Sequence, residues 1–249
     1  MKKKQEIRAA LQPFGEALND YVNGKRDAVL FLEREDGFTE ELPVKSFFRG
    51  WNEYSKLEKQ AIHLCKGKIL DVGAGAGAHS LHLQKKGYTV YALDILAETC
   101  RIMEQRGVEN VICSDFWEVE GDKMNFDTVL LLGRSICMIE DLEGLERFLS
   151  HTYHLLKENG RIILDSGDVT KTHNPSHLQY HQFNLNSNRY IGEVRLRFRY
   201  KGNTGKPYQL VHIEPNVLIE FALRNKFSCD IVDEREEGGS YLACLRKEA

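Results

Sequence analysis

Apolar residues recur at helical spacing near the amino terminus, where Ile7, Leu11, Phe14, Leu18 and Tyr21 fall on one stripe within residues 5–22. Pro13 predicts a kink in that helix, and Asn23-Gly24 ends it. Two short strands follow, Ala28–Glu33 and Phe38–Val44, turned about Asp36-Gly37. Helical spacing returns over Glu53–Leu64 and stops at Gly67. Residues 1–65 thus read as an extension of two helices and a hairpin, set ahead of a main domain at 66–249.

The rhythm changes after Gly67. Apolar strands are predicted at Lys68–Val72, Thr89–Leu93, Val111–Cys113, Phe126–Leu132 and Arg161–Ser166. Helices fall between them at Ala78–Lys86, Ala97–Arg106 and Glu143–Leu156. This alternation predicts a parallel sheet covered by helices on both faces, joined by right-handed crossovers. An insertion at about 167–212 breaks the pattern. It is polar and carries one strand in which Val194, Leu196, Phe198 and Tyr200 alternate with Arg195, Arg197 and Arg199. A helix near Asn216–Asn225 and strands near Cys229–Glu234 and Tyr241–Arg246 close the chain. The last two strands are too close for a helical crossover and are predicted to pair antiparallel.

Composition narrows the function classes. The 249 residues carry a formal net charge of −3, so global charge gives no support to nucleic-acid binding driven by phosphate contacts. No apolar run is long enough to span a membrane, and no apolar segment follows the basic Met1-Lys2-Lys3-Lys4 to make a secretory signal. The six cysteines form no C-x-x-C pair and read as reduced, mostly buried thiols of a cytoplasmic protein.

The strongest chemical signal is Ile69-Leu70-Asp71-Val72-Gly73-Ala74-Gly75-Ala76-Gly77-Ala78. An apolar strand runs into a glycine-rich turn and then a helix. Gly73 and Gly75 permit positive φ and close approach of a ligand to the backbone. The turn is expected to aim free N–H groups at whatever sits at the end of the strand. The spacing also fits a relaxed dinucleotide fingerprint, so it does not by itself separate nicotinamide cofactors from other nucleosides. Asp94, at the end of the next strand, can accept hydrogen bonds from both ribose hydroxyls in either case.

These segments resemble the class I S-adenosylmethionine-dependent methyltransferases. Leu70–Gly77 looks like the family's first motif, including the acidic residue two places before the first glycine. Val90–Asp94 looks like its ribose-binding strand end, Cys113-Ser114-Asp115-Phe116 like its adenine motif, and Phe126–Leu132 like its fourth strand. Gly160–Leu164 and the helix before it match the fifth strand and its helix. The resemblance covers about residues 66–170 and 213–246. It implies a Rossmann-like α/β fold: a seven-stranded, mostly parallel sheet with a C-terminal antiparallel hairpin. It also implies S-adenosyl-L-methionine as cofactor. On this resemblance Gly73, Ala74 and Gly75 pass beneath the methionine part, and Asp71 holds its amino group directly or through water. Asp94 binds the ribose with Ile95 against the adenine. Asp115 accepts from the exocyclic amine with Phe116 against the ring. Backbone near Leu132 and Gly133 faces the methionine end.

The activity so implied is methyl transfer to an unidentified small molecule. No residue pattern singles out a catalytic base, which is needed only when the nucleophile arrives protonated. Two rivals share the glycine turn: an NAD(P)-dependent oxidoreductase, and a nucleoside-binding module without catalysis. Against the first stand the lack of a separate substrate domain and of a Tyr-x-x-x-Lys pair. Leu132-Gly133-Arg134-Ser135 departs from the Asn/Asp-Pro-Pro-Tyr/Phe sequence of enzymes that methylate amide or nucleobase amino nitrogens. Arg134 reads as a contact to an acidic substrate group or as a surface ion pair. Phe47-Phe48-Arg49-Gly50-Trp51 and Tyr54 offer Phe48, Arg49 and Tyr54 as site-lining residues or as ordinary packing. His173, His177 and His181 recur every four residues; on a helix they share a face and could bind a metal, and on a polar lid His173 could act as a base. No metal is assigned.

Overall fold

The computed structural model describes residues 2–121, 125–133, 139–234 and 239–248. Among them, the helices are α1 Lys2–Val22, α2 Lys56–Leu64, α3 Ala78–Lys85, α4 Ala97–Gln105, α5 Leu142–Leu155, α6 Pro175–Asn186 and α7 Pro215–Arg224. The strands are β1 Val29–Arg34, β2 Thr39–Pro43, β3 Lys68–Val72, β4 Thr89–Asp94, β5 Asn110–Cys113, β6 Phe126–Leu131, β7 Leu156–Gly167, β8 Glu193–Tyr200, β9 Asn203–Thr204, β10 Tyr208–Val211, β11 Phe227–Glu234 and β12 Ser240–Lys247.

Seven strands form one mixed sheet in the order β11-β12-β7-β6-β3-β4-β5. The pairs β4–β5 and β6–β7 are parallel, whereas β12 runs antiparallel to both β7 and β11. This is the α/β architecture implied by the alternation, with the antiparallel hairpin at the carboxyl end. A second sheet was not legible. β8, from the insertion, pairs antiparallel with β1 and extends the amino-terminal hairpin into the order β10-β8-β1-β2, with β9 on β8.

By compactness the chain divides into two units, each assembled from separate stretches of sequence. The first comprises 1–54, 71–118 and 195–208. Its core gathers Ala17, Leu18, Leu30, Val44, Ala76, Ile102 and Tyr200, with Phe14, Tyr21, Phe47 and Phe48 packed against them. α1 runs through Pro13 without interruption. Gly205 passes so near α1 that an added Cβ would overlap the Ala10 carbonyl. Asp20 anchors the same region, accepting from the Tyr200 hydroxyl at 2.9 Å and from the Lys25 and Lys201 ammonium groups.

The second unit comprises 55–70, 119–194 and 209–249. The division expected at residue 65 falls within it, between α2 and β3. Helix α2 begins later than its periodicity suggests because Ser55 forms a reciprocal cap: Glu58 N donates to Ser55 Oγ at 3.1 Å, and Ser55 N donates to Glu58 Oε2 at 2.8 Å. Two short 3-10 turns, Val44–Phe48 and Trp51–Glu53, occupy the sequence before it. Phe148, Phe227, Tyr241 and the run Leu242–Leu245 are fully buried here. Among the described residues no helix is long and apolar enough to cross a membrane.

Candidate functional site

In the first unit, β3 ends at Val72 and the chain enters α3 through Gly73, Gly75 and Gly77, all at positive φ (69°, 57° and 75°). The glycines serve different needs. An added Cβ at Gly77 would lie 3.0 Å from Met103 and Val108, so this glycine lets α3 approach α4. An added Cβ at Gly75 would meet nothing within 4 Å. Its left-handed backbone favours glycine, and open space stands in front of it.

Four of the loop's amides are engaged within the protein. Gly73 N and Ala74 N donate to the Leu93 carbonyl at 2.9 and 3.0 Å, and Gly77 N donates to Ala74 O at 2.8 Å. Gly75 N donates to Asp94 Oδ2 at 2.9 Å. Asp71 is 2% exposed and accepts from the Ser80 hydroxyl at 2.5 Å and from the Ser80 amide. The beginning of α3 is therefore occupied by a carboxylate of the chain itself. Burial pushes the Asp71 carboxyl above the usual carboxylate range, against the opposing pull of His79 and the Ser80 bonds. The expectation of free N–H groups is corrected at Gly73, Ala74, Gly75 and Gly77, whose donors hold the shape of the turn itself.

Asp94 stands at the end of β4. Its Oδ1 accepts from Leu96 N at 3.0 Å and its Oδ2 from Gly75 N, so backbone donors at both oxygens fix the carboxylate plane. The Thr99 side chain and the Ile95 amide also lie against this carboxylate. Burial raises this carboxyl too. At the end of β5, Asp115 Oδ1 accepts from Trp117 N at 3.3 Å and starts a short 3-10 turn over Phe116–Glu118. Phe116 is 1% exposed, whereas Trp117 is 37% exposed. The aromatic surface available beside Asp115 thus belongs to Trp117, which the motif reading passed over in favour of Phe116.

The extension is fastened to these strand ends within the same unit. Lys4 Nζ bonds Glu118, and Arg8 Nε donates to the Ile95 carbonyl at 3.0 Å. The Tyr54 hydroxyl donates to Ala78 O at 2.7 Å, and Arg106 donates to Ala76 O while its guanidinium lies 5.0 Å over the Phe48 ring. Trp51 stacks on His82 of α3 with ring centroids 4.4 Å apart. Tyr54 is 4% exposed, so it buttresses the loop rather than offering a substrate surface; this corrects its place among the substrate residues. Arg49 Nε is engaged locally by the Ser46 carbonyl at 2.7 Å. Sequence reasoning missed Ser80 and Arg106. Ser80 had a signal in its position one turn into the helix that follows the Asp71 loop; Arg106 had none.

In the second unit, Leu132 is buried after β6 and Gly133 is exposed with φ of 71°. Arg134 lies outside the described residues. His173 is exposed and precedes α6, which starts at Pro175 with Asn174 as its cap. The shared helical face of three histidines is thus reduced to His177 and His181, because Pro175 favours the first helical position and Asn174 the cap before it. His177 Nδ1 contacts Thr172 Oγ1 at 3.2 Å.

Residues 70–164 match the model of the methyltransferase domain family. Across nearly its whole length the chain is similar to an S-adenosylmethionine-dependent methyltransferase from Bacteroides fragilis, solved in complex with S-adenosyl-L-homocysteine. The two are 29% identical, 97% of each chain is covered, and the TM-score is 0.82. The chain belongs to the class I S-adenosylmethionine-dependent methyltransferase family. Among curated members of that family, it is 30% identical over 152 residues to a ubiquinone biosynthesis O-methyltransferase from Rickettsia conorii, covering 58% of this chain and 48% of that one. It is 26% identical over 159 residues to a glycine/sarcosine N-methyltransferase from Parasynechococcus marenigrum, covering 57% and 55%. The chain spans about half the length of the curated relatives it matches.

Proposed function

We propose that this class I family member binds S-adenosyl-L-methionine on the Gly73–Gly75 loop and transfers its methyl group to a small-molecule acceptor. The observation that carries this reading is the occupancy of the loop's donors. A dinucleotide-binding turn holds a pyrophosphate on free amides at a helix N-terminus. Here Asp71 already occupies the start of α3, and the amides of Gly73, Ala74, Gly75 and Gly77 are bonded within the protein. A pyrophosphate would meet the Asp71 carboxyl at the start of α3 and few unengaged donors in the turn. Such a site disfavours a pyrophosphate and suits a ligand that approaches the loop without one and carries positive charge.

The residues present fit that cofactor. Asp94, with both oxygens pinned, takes the two ribose hydroxyls, and Ile95 lies beside it for the adenine. Asp115 takes the exocyclic amine, with the exposed Trp117 as the adjoining aromatic surface. Gly73, Ala74 and Gly75 give backbone clearance to the methionine portion, and Asp71 serves its ammonium group through water. The assignment of Leu132 and Gly133 to the methionine end rests on the family resemblance alone. When bound, S-adenosylmethionine supplies an electrophilic methyl on a sulfonium, so the protein need not build an electrophile. The chain's part is to hold that centre in line with a nucleophile and to exclude water. In this reading α1 and the segment 44–54, fastened to the loop and strand ends, cover the cofactor within the first unit. The names of the curated relatives, an O-methyltransferase of ubiquinone biosynthesis and a glycine/sarcosine N-methyltransferase, support a small acceptor. His173, exposed before α6, is retained as a substrate residue.

Calorimetry with S-adenosylhomocysteine and a thermal-shift panel with NAD and NADP test the cofactor. Saturation by S-adenosylhomocysteine at 100 times its Kd adds about 2.7 kcal/mol to stability, and the dinucleotides are expected to add nothing. Stabilisation by a dinucleotide, with no heat from S-adenosylhomocysteine, overturns the reading. Release of S-adenosylhomocysteine during incubation with a library of small acceptors separates an enzyme from a nucleoside-binding module.

A further inference from the structure

Two cysteines that the cofactor reading does not use meet beside Asp94. Cys113 is the last residue of β5 and pairs in register with Asp94 across the parallel strands. Cys100 lies on α4 and donates its thiol to the Asp94 carbonyl at 3.6 Å. The Cys113 thiol also lies close enough to act on the Cys100 thiol electrostatically. Cys113 is exposed and Cys100 is buried. We propose that Cys100 and Cys113 form an oxidation site for peroxides, closing to a disulfide that weakens cofactor binding at Asp94. The gating half of this proposal rests on the reading of Asp94 as a ribose ligand.

The chemistry balances with one peroxide. Cys113, reachable from solvent, attacks a peroxide oxygen as its thiolate; the O–O bond breaks, leaving a sulfenic acid on Cys113 and one water. Cys100 sulfur then attacks Cys113 sulfur. The S–S bond forms, hydroxide leaves, and the Cys100 proton joins it as a second water. Two thiols are oxidised by two electrons and the peroxide is reduced to two waters. The order is fixed by environment: burial, Cys113 and Asp94 hold the Cys100 thiol well above its ordinary range, so it stays protonated until its partner is activated.

The structural consequence runs to the carboxylate. A disulfide brings the sulfurs to about 2.05 Å, so α4 and the end of β5, which meet at Asp94, must draw together. Cys100 N is bonded to Leu96 O at 3.1 Å, and Leu96 N holds Asp94 Oδ1 at 3.0 Å. On the other side, Ser114 N, next to Cys113, donates to Asp94 O at 3.1 Å, and Asp115 follows directly. Pulling the two sulfurs together therefore shifts the supports of both acidic residues. A misplacement of about 1 Å can cost as much as a hundredfold in a preorganised site, and a loss of about tenfold or more in affinity is expected here.

The full chain is treated with hydrogen peroxide, alkylated and digested. Mass spectrometry then reads whether the peptides holding Cys100 and Cys113 are joined with loss of two hydrogens. Calorimetry with S-adenosylhomocysteine is run on reduced, oxidised and re-reduced protein. The expected result is a Cys100–Cys113 link, an affinity drop of about tenfold or more, and full recovery with dithiothreitol. Cys100→Ser and Cys113→Ser should each bind as the reduced wild type does and form no link, and Cys113→Ser should keep its affinity after peroxide. Absence of the linked peptide overturns the site. A linked protein with unchanged affinity overturns the gating, as does a Cys113→Ser protein that loses affinity to peroxide like the wild type. Failure of the reduced protein to bind S-adenosylhomocysteine sinks the cofactor reading and the gating with it, while the linked peptide is still scored by mass.

Discussion

Replacing Asp94 by asparagine changes one atom's chemistry and almost nothing of its shape. Both carboxylate oxygens accept a backbone N–H, from Leu96 and from Gly75. An amide has one oxygen, so one of these donors would face an NH2 group and lose its partner. The ribose, in the proposed complex, would exchange a charged acceptor for a neutral amide. Hydrogen bonds to charged groups are each worth about 1.5–3 kcal/mol. Losing the equivalent of one such bond to the ligand weakens S-adenosylhomocysteine binding roughly 10- to 150-fold, at 1.4 kcal/mol per factor of ten. Calorimetry measures the affinity, and the unfolding midpoint of the free protein confirms that the fold survives. A folded Asp94→Asn protein whose Kd moves by less than about threefold would refute the assignment of Asp94 to the ribose.

Arg106→Ala removes the bond to the Ala76 carbonyl and the stacking over Phe48. From about 1.5–3 kcal/mol for a charged hydrogen bond and about 0.5–1 for the cation–π contact, urea denaturation should show a loss of about 2–4 kcal/mol; a loss below about 0.5 kcal/mol refutes the clamp. Burial, and after it the bond to Asp20, hold the Tyr200 phenol's pKa up at about 12. Since the folded value lies above the unfolded value of about 10, the stability contributed by Tyr200 is full below pH 10 and declines as pH rises from about 10 toward 12. Asp20→Asn should bring the phenolate absorbance step to lower pH, and an unmoved titration would break the link. Gly205→Ala should cost about 1–3 kcal/mol because its Cβ meets the Ala10 carbonyl, whereas Gly50→Ala, at ordinary φ with nothing within 4 Å, should stay within about 0.5 kcal/mol. Equal chemical-denaturation midpoints for the two would contradict the close approach to α1.

What the sequence determined on its own is local or periodic. The stretch from Lys68 to Asp115 reads correctly as strand, turn and helix in succession because buried parallel strands need continuous apolar runs and a left-handed turn favours glycine. The antiparallel end was legible because β11 and β12 are too close in sequence for any crossover. Tertiary structure alone decided what depends on partners far apart in the chain. β8 and β1 are more than 150 residues apart, and no local pattern says that Phe31 stands opposite Arg199 or that Glu33 pairs with the Arg199 guanidinium. The same holds for the donors of the glycine loop. The sequence supplies the turn, but only the fold brings the Leu93 carbonyl, the Asp94 carboxylate and Ser80 to it, engaging amides that looked free. Hydrogen bonds are short-ranged and directional, so their assignment waits on coordinates, whereas hydrophobic periodicity is written along the chain.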